Sequence, residues 1–265
     1  MHTNLSIHIQ LNSQRNIFEQ FETIDLTEMD SVKLMNRTDT KFVFTEIQFE
    51  NVMNEIKDRY RVLQVNNARL SRYKTLYYDT LDLNLYTEHH NGKLNRYKIR
   101  HRTYVESDLG FLEVKFKNNK GRTIKKRISE MTPPIAWEGT SEVFLNKTLP
   151  FTPQLLIPTI WVNYSRYTLV NKTEPERLTI DVDLEFVKND VTEKLVGLVI
   201  AEVKQEKRKT SPFMTMMKKY HIREGSISKY CLGIALTCNQ IKKNNFKQKL
   251  LKINHILDHD ITSNS

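Results

Sequence analysis

Long apolar runs are missing from this 265-residue chain. No stretch approaches the roughly 20 apolar residues that a helix needs to cross a bilayer. The opening Met1–Phe18 segment lacks the basic flank and continuous apolar core of a secretory leader, so a cytoplasmic location is expected. Cysteine is equally scarce: Cys231 and Cys238, seven apart, form neither a C-x-x-C redox pair nor a four-ligand zinc set. Seven Gly and seven Pro are too few for a collagenous or low-complexity architecture, and no repeat or flexible linker divides the chain. At 39% hydrophobic and 27% charged, it has the makeup of one folded domain with a sizeable core.

Acidic residues are the other shortage. Against 31 Asp+Glu stand 41 Lys+Arg, a formal +10 that favours a polyanionic partner. Between Asn91 and Ser129, twelve Lys/Arg face three acids, so +9 of the excess falls within 39 residues.

Strand texture dominates that region. Runs at 61–65, 72–79, 93–104, 110–117 and 122–128 are separated by the turn-forming pieces Asn66-Asn67, Asn91-Gly92, Ser107-Asp108 and Asn118-Asn-Lys-Gly121, which predicts antiparallel hairpins. Strand texture returns at 157–169, 176–186 and 194–204. Helices are predicted around 15–22, over 46–59 behind a Thr45 cap, in part of the stretch up to Leu149, from Ser211-Pro212 and over 245–257, with a further short element of unassigned type around 226–236. In the second of these, Phe49, Val52, Met53 and Ile56 recur at helical spacing.

Alternation within the strands carries the functional signal. In Arg96-Tyr-Lys-Ile-Arg-His-Arg-Thr-Tyr104, side chains point to opposite faces in turn, so Arg96, Lys98, Arg100 and Arg102 share one face and Tyr97, Ile99 and His101 the other. Glu113, Lys115 and Lys117 share a face, as do Lys125 with Arg127, Tyr164 with Arg166, and Glu202 with Lys204. By the same rule Asp181, Asp183 and Glu185 alternate against Ile180, Val182 and Leu184. A solvated sheet face is the simplest source of one such pattern. Its recurrence on successive strands predicts a closed or nearly closed barrel, with a charge-lined interior and helices packed outside. Cations there would hold phosphoryl oxygens, and a carboxylate would hold Mg²⁺ or Mn²⁺ bridging them.

The ordered pieces Arg37-Thr-Asp-Thr-Lys-Phe-Val-Phe44, Tyr77-Tyr-Asp-Thr80, Arg96 to Arg102, Phe111-Leu-Glu-Val-Lys115, Tyr164-Ser-Arg166, Arg177 to Asp183, Ala201-Glu-Val-Lys204 and Ser228-Lys-Tyr230 resemble the VTC domain, the polyphosphate polymerase domain of the triphosphate tunnel metalloenzyme superfamily. That resemblance implies an α+β fold: an antiparallel eight-stranded β-barrel tunnel with packed helices, over residues 30–237, between an N-terminal extension (1–29) and a C-terminal tail (238–265). It implies Lys41, Arg100, Arg102, Lys115, Arg166 and Lys229 as catalytic cations. Arg96, Lys98, Lys125, Arg127 and Lys204 become further phosphate ligands, and Glu202 the metal ligand. Eukaryotic members make inorganic polyphosphate from the terminal phosphate of ATP. The implied partners are therefore ATP or another triphosphate and inorganic polyphosphate, with Mn²⁺ or Mg²⁺ as cofactor. Two positions depart from the pattern: His89-His90 where the polymerases favour a basic residue, and Leu232 in place of a second late lysine.

Other residues invite plainer expectations. Asp79 is balanced between capping a turn and touching ligand, Asp181 is expected to pair with the cations, and His101 to be a packed histidine. Lys242, Lys243, Lys247 and Lys249 are expected on a solvated surface. A triphosphatase or polyphosphatase using water in the same tunnel, or a non-catalytic polyphosphate sensor, are the alternative functions. Specific nucleic-acid binding is disfavoured, because the basic rows lack an aromatic RNA-recognition platform.

Overall fold

In the computed structural model, which describes residues 17–31 and 37–262, the first elements are β1 (Glu22–Ile24), α1 (Leu26–Ser31) and β2 (Thr38–Thr45). The start of the helix expected around 15–22, and the turn expected from Lys33, lie partly outside the described residues. Thr45 then caps α2 (Glu46–Ile56) in a reciprocal capping box with Gln48, and the four apolar residues at helical spacing are all buried. The chain continues through β3 (Tyr60–Leu63), β4 (Ser71–Asp79), α3 (Asn84–His90), β5 (Arg96–Tyr104), β6 (Leu109–Lys117), β7 (Thr123–Ser129) and α4 (Gly139–Thr148). It ends with β8 (Ile157–Asn171), β9 (Glu176–Lys188), β10 (Val191–Leu195), β11 (Leu198–Gln205), α5 (Pro212–Lys219), α6 (Lys229–Thr237) and α7 (Lys247–Thr262).

Eight strands hydrogen-bond in the order β2-β11-β9-β8-β4-β5-β6-β7; β10 extends β9, and β3 links β8 to β1. The class is the expected antiparallel α+β, with β1 and β3 the one parallel pair described. Two features differ from the expected barrel. Eleven strands are described rather than eight, and the path ends at β2 and β7 without closing. The reason lies at β2, where the returning chain takes the free edge: the Gly225 amide donates to the Lys41 carbonyl at 2.9 Å, and Phe42 bridges Glu224. The strand expected over 194–204 is likewise two strands, β10 and β11, broken at Val196-Gly197, where Gly197 adopts a left-handed φ of 80°.

One sheet face is apolar throughout. Phe42, Phe44, Leu178, Ile180, Val199, Ala201 and Val203 pack under α2 and α5, while Leu76, Tyr78, Ile99, Leu112 and Val114 form a second cluster with Leu145 of α4. His101 lies on this side, fully buried, with its Nε2 2.7 Å from the Glu130 carbonyl. The chain passes so close there that a Cβ on Gly110 would stand 2.2 Å from that same oxygen.

The opposite face is charged along part of its length and covered by α6 elsewhere. Gly233 lets α6 approach: a Cβ there would meet Phe186 Cδ1 at 2.5 Å and Ile160 Cδ1 at 2.8 Å. Asp79 fixes the neighbouring corner. Its carboxylate accepts from the amides of Thr80, Leu85 and Tyr86, which starts α3, and from the hydroxyl of Tyr230 on α6. Of its two expected roles, the structure gives Asp79 the capping one.

Candidate functional site

The cation row of β5 stands as the alternation predicts, and its partners come from both neighbouring strands. Arg100 lies opposite Tyr77 of β4 and Glu113 of β6. Its Nε donates to the Glu113 carboxylate at 2.6 Å and its Nη1 to the Tyr77 hydroxyl at 3.3 Å. Lys98 reaches the cap of α6, donating to Ser228 Oγ at 2.6 Å, and Arg96 donates to the Lys93 carbonyl at 2.7 Å. Arg102 is buried, stacked over Tyr73 and Tyr164 with its Nε 3.4 Å from Thr75 Oγ1. So many cations act on Tyr77 that, although burial pushes its phenol up, Arg100, Arg102 and Lys98 hold it below its ordinary value.

Asp181 ties three elements together. Arg166 donates to it twice, at 2.5 and 2.9 Å, and Lys229, the first residue of α6, pairs with its second oxygen. The carboxylate is only 4% exposed. Burial alone would push it up, but Arg166 and Lys229 hold it well below the usual carboxylate range. The parallel rings of Tyr73 and Tyr164, 5.1 Å apart, form a floor beneath both Arg102 and Arg166, and Lys229 sits 4.7 Å over Tyr164. Asp181 thus pairs with the cations, as expected. The continuation of its alternation fails, because Asp183 has a left-handed φ of 54° where the β8–β9 register shifts. That bulge reverses the phase: Leu184 and Phe186 turn toward α6, and Glu185 turns away to accept from Asn163 and pair with Lys194.

Glu202 sits on β11 opposite Lys41 of β2 and Thr179 of β9. Lys204 Nζ is 3.0 Å and Lys41 Nζ 3.5 Å from its oxygens. Burial would raise this carboxyl, yet Lys204 and Lys41 hold it well below its usual range. The amines respond in the other direction. Burial, reinforced by Lys125, Lys98, Lys41 and Arg100, pushes Lys115 down to about 7, while burial takes Lys204 down to about 8 despite Glu202.

Of the candidate residues, Lys41, Arg96, Lys98, Lys115 and Glu202 line a cavity of about 740 Å³ whose far side is built by α3, α6, α7 and the 224–228 segment. Arg100, Arg102, Arg166 and Lys204 share the sheet face, and Lys229 reaches it from α6, but all five stand beside that cavity, in the ion-paired and aromatic block. Lys125 feels the charges of Arg37 and Asp39 across the gap between β7 and β2. Arg127 is exposed and stacks over Phe111 at 4.5 Å. Of the tail lysines, Lys242, Lys247 and Lys249 are exposed as expected, Lys249 at the rim of the cavity where it donates to Ser226, whereas Lys243 is half-buried and donates to the Ala235 carbonyl. Sequence reasoning missed Glu113 as the partner of Arg100 and Tyr73 as half of the aromatic floor. Each has the parity of the charged face, which is the signal that could have found it.

Among the described residues no three His, Cys, Asp or Glu side chains converge as a metal cage. Mg²⁺ and Mn²⁺ need no such cage when phosphate oxygens and water supply most of the ligands. Glu202 fits an ion that arrives on a phosphate chain; bound without one, the ion would have to displace Lys41 and Lys204 and find its remaining donors elsewhere.

Fold and site together define an α+β protein with a basic inner wall and an apolar outer one. The family model of the VTC domain matches residues 36–136 and 140–238, and the chain belongs to that family. None of the curated proteins matches it. Among solved structures it is similar to a putative adenylate cyclase from Bacillus halodurans (11% identity, 73% of this chain and 96% of that one, TM-score 0.43). It is also similar to a putative adenylate cyclase from Vibrio parahaemolyticus (11%, 75% and 99%, 0.45). A third is a putative adenylyl cyclase from Hippeastrum described as having a dominant triphosphatase activity (11%, 77% and 98%, 0.43). At these scores the likenesses carry no further weight, and family membership rests on the sequence match.

Proposed function

We propose that this protein is a metal-dependent polyphosphate polymerase that transfers the γ-phosphate of ATP to a growing inorganic polyphosphate chain. Membership of the VTC family supports an enzyme acting on triphosphates. The observation that carries the reading is the convergence of Lys41, Lys98 and Lys115 with Glu202 on one cavity, beside the guanidinium groups of Arg100, Arg102 and Arg166. In the reaction, an oxygen of the acceptor chain's terminal phosphate forms a bond to the γ-phosphorus as the bridging bond to the β-phosphate breaks, and ADP leaves. No side-chain nucleophile is required. The protein's part is to hold both chains in line and to stabilise the charge on the transferred group.

In this assignment Lys41, Lys98 and Lys115 hold phosphoryl oxygens, and Arg100 and Arg166 stabilise charge that develops on them. Lys229, Lys204, Arg102, Arg96, Lys125 and Arg127 extend the positive wall. A divalent ion held through Glu202 supplies charge neutralisation at the transferred group. The test is incubation with ATP and Mn²⁺ or Mg²⁺ followed by gel separation of the phosphate products. Long acid-labile chains beside ADP support polymerisation; inorganic phosphate without chains means water is the acceptor and the protein is a hydrolase. Glu202→Gln, which keeps size but removes the charge, is expected to abolish chain synthesis across a metal titration while metal-free tripolyphosphate binding persists. Near-normal activity with an unshifted metal optimum would remove Glu202 from the metal site.

A further inference from the structure

Three lysines stand side by side across the sheet. Lys98 of β5, Lys115 of β6 and Lys125 of β7 form one line of cross-strand partners, where directly opposed side chains start roughly 5 Å apart at Cβ and like charges repel. Nearby cations have acids beside them: Lys41 and Lys204 pair with Glu202, and Arg100 with Glu113. Among the described residues no carboxylate pairs with any of the three lysines. Lys98 donates to Ser228 and Lys125 is exposed at the open edge, so Lys115, half-buried on the lining of the cavity, is the amine with most to gain from losing its proton. Burial and the charges of Lys125, Lys98, Lys41 and Arg100 push it down to about 7. An ordinary lysine titrates at about 10.4. At about pH 8, therefore, most copies of Lys115 offer a free lone pair, against fewer than about one in a hundred for a surface lysine.

A neutral amine beside cations that hold a phosphate is arranged to attack an electrophilic carbon attached to that phosphate. We propose that Lys115 is an acylation site for small acyl phosphates, the mixed anhydrides of a carboxylic acid and phosphoric acid, with Lys98 and Lys41 holding the phosphate and the carbonyl carbon presented to the Lys115 amine. In the step, the nitrogen lone pair forms a bond to the carbonyl carbon, the bond from that carbon to the bridging oxygen breaks, and its electron pair leaves with inorganic phosphate. The surplus proton on nitrogen passes to the departing phosphate. The same cations stabilise the charge that the phosphate gains on leaving, a benefit that an aldehyde condensing to an imine lacks. One phosphate brings at most two negative charges, too few to keep protons on all of Lys41, Lys98, Lys115 and Lys125, so the amine stays reactive when an acyl phosphate arrives. A longer phosphate chain brings more charge, protonates Lys115 and occupies the cavity, and so protects it. The product amide is uncharged, and the basic wall loses a cation. Acyl phosphates thereby close the site only while no phosphate chain fills it. Acylation at Lys115 goes beyond the proposed transfer, since it requires lysines that hold a phosphate and neither ATP nor a divalent metal.

The test is incubation of the full chain with acetyl phosphate at about pH 8 without divalent metal, each lysine then being mapped by mass spectrometry. Lys115 should be acetylated at least about tenfold faster than Lys120 and Lys126, exposed lysines of the same hairpin, the gain in free amine being partly offset by its weaker basicity. Tripolyphosphate should suppress the reaction at Lys115 and leave the other two unchanged. The succinimidyl ester of acetic acid, which carries no phosphate, should show a smaller preference for Lys115. Acetylated wild type should bind tripolyphosphate about tenfold more weakly in a calorimetric titration, the size of one lost charge-assisted contact. Lys115→Arg, which keeps the charge and cannot react in this way, should hold its own affinity through the same treatment. Three results overturn the acylation site and, with tripolyphosphate still bound by untreated protein, leave the triphosphate reading standing: Lys115 acetylated no faster than Lys120 and Lys126, an equal preference for it with the phosphate-free reagent, or an affinity loss as large in Lys115→Arg as in wild type. Untreated wild type that does not bind tripolyphosphate sinks the triphosphate reading, whereas preferential acetylation of Lys115 by acetyl phosphate still supports the acylation site by itself.

Discussion

Asp181→Asn removes one negative charge from between two cations that are themselves mostly buried. Arg166 and Lys229 are each 16% exposed in their side chains, and Asp181 is the acid that both of them hold. Removing one partner from a buried ion pair destabilises by about 3–5 kcal/mol, because the remaining charge stays desolvated. In a chain of this size each kcal/mol shifts the melting temperature by about 2–4 °C, so the loss should be roughly 6–20 °C. The same deficit of negative charge should favour an anionic ligand. Saturating tripolyphosphate should therefore raise the melting temperature of the variant by more than that of the wild type. The sign of the pH dependence follows from the direction of the shift. Arg166 and Lys229 overcome the effect of burial and depress the Asp181 carboxyl, so its contribution is fully present above the unfolded carboxylate value of about 4 and is lost as pH falls toward the lower folded value. Wild type and variant should differ by a constant amount from pH 5 upward and converge in strong acid. A melting temperature within 2 °C of wild type at pH 7, or equal ligand-induced shifts in the two proteins, would refute the claim that Asp181 neutralises this block.

Arg100→Ala should weaken tripolyphosphate binding by about tenfold or more in a calorimetric titration, since truncating one partner of a buried, hydrogen-bonded charge pair costs about 2–5 kcal/mol. It should also lower stability by stranding Glu113, and adding Glu113→Gln should restore stability without restoring affinity. Lys115, pushed down to about 7 in the empty cavity, should take up a proton when a polyanion binds, so the binding heat at pH 8 should vary with the buffer's ionisation enthalpy; buffer-independent heat would exclude it. Because the unfolded amine keeps its proton to about pH 10, Lys115 also makes the empty protein more stable as pH rises from 7. Gly233→Val should cost about 1–3 kcal/mol through overpacking on Phe186 and Ile160, and should weaken tripolyphosphate binding because α6 carries Lys229; unchanged affinity would detach that helix from the site.

What could be read from sequence was what short-range geometry determines. Thr45 and the Phe49-Val52-Met53-Ile56 spacing specify α2, and strict alternation puts Arg96 to Arg102 on one face of β5, because a strand's period is two wherever it is unbroken. The same rule misplaced Glu185, since a single left-handed residue at Asp183 inserts an extra step and nothing local in Asp-Val-Asp marks it. Helix α3 escaped notice because it is one short segment started by a carboxylate five residues upstream, Asp79, and not by a side chain at its own first turn. Closure of the sheet was beyond reach for a different reason. Whether β7 pairs with β2 depends on what else occupies the β2 edge, and the occupant, Gly225, is 184 residues from Lys41 along the chain.

An empty basic wall poses a folding problem that the inner carboxylates answer. Glu113, Asp181 and Glu202 each sit against a cation of the candidate site, and Asp39 pairs with Arg37 at the open edge. Like charges that would otherwise repel are held close together in the absence of ligand, so the cations are positioned before a phosphate chain arrives. The arrangement has a consequence for binding. Phosphoryl oxygens entering this face must compete with carboxylates already bonded to Arg100, Arg166 and Lys204, and the measured affinity is the difference between the two sets of contacts. Lys98 and Lys115 differ from that group, since Lys98 donates to a neutral hydroxyl and burial among other cations depresses both amines. A polyanion meets no displaced acid at these two lysines and relieves their mutual repulsion. They should therefore contribute more to net affinity per contact than the better-ordered arginines, whose ion pairs make them better suited to charge that appears only during transfer.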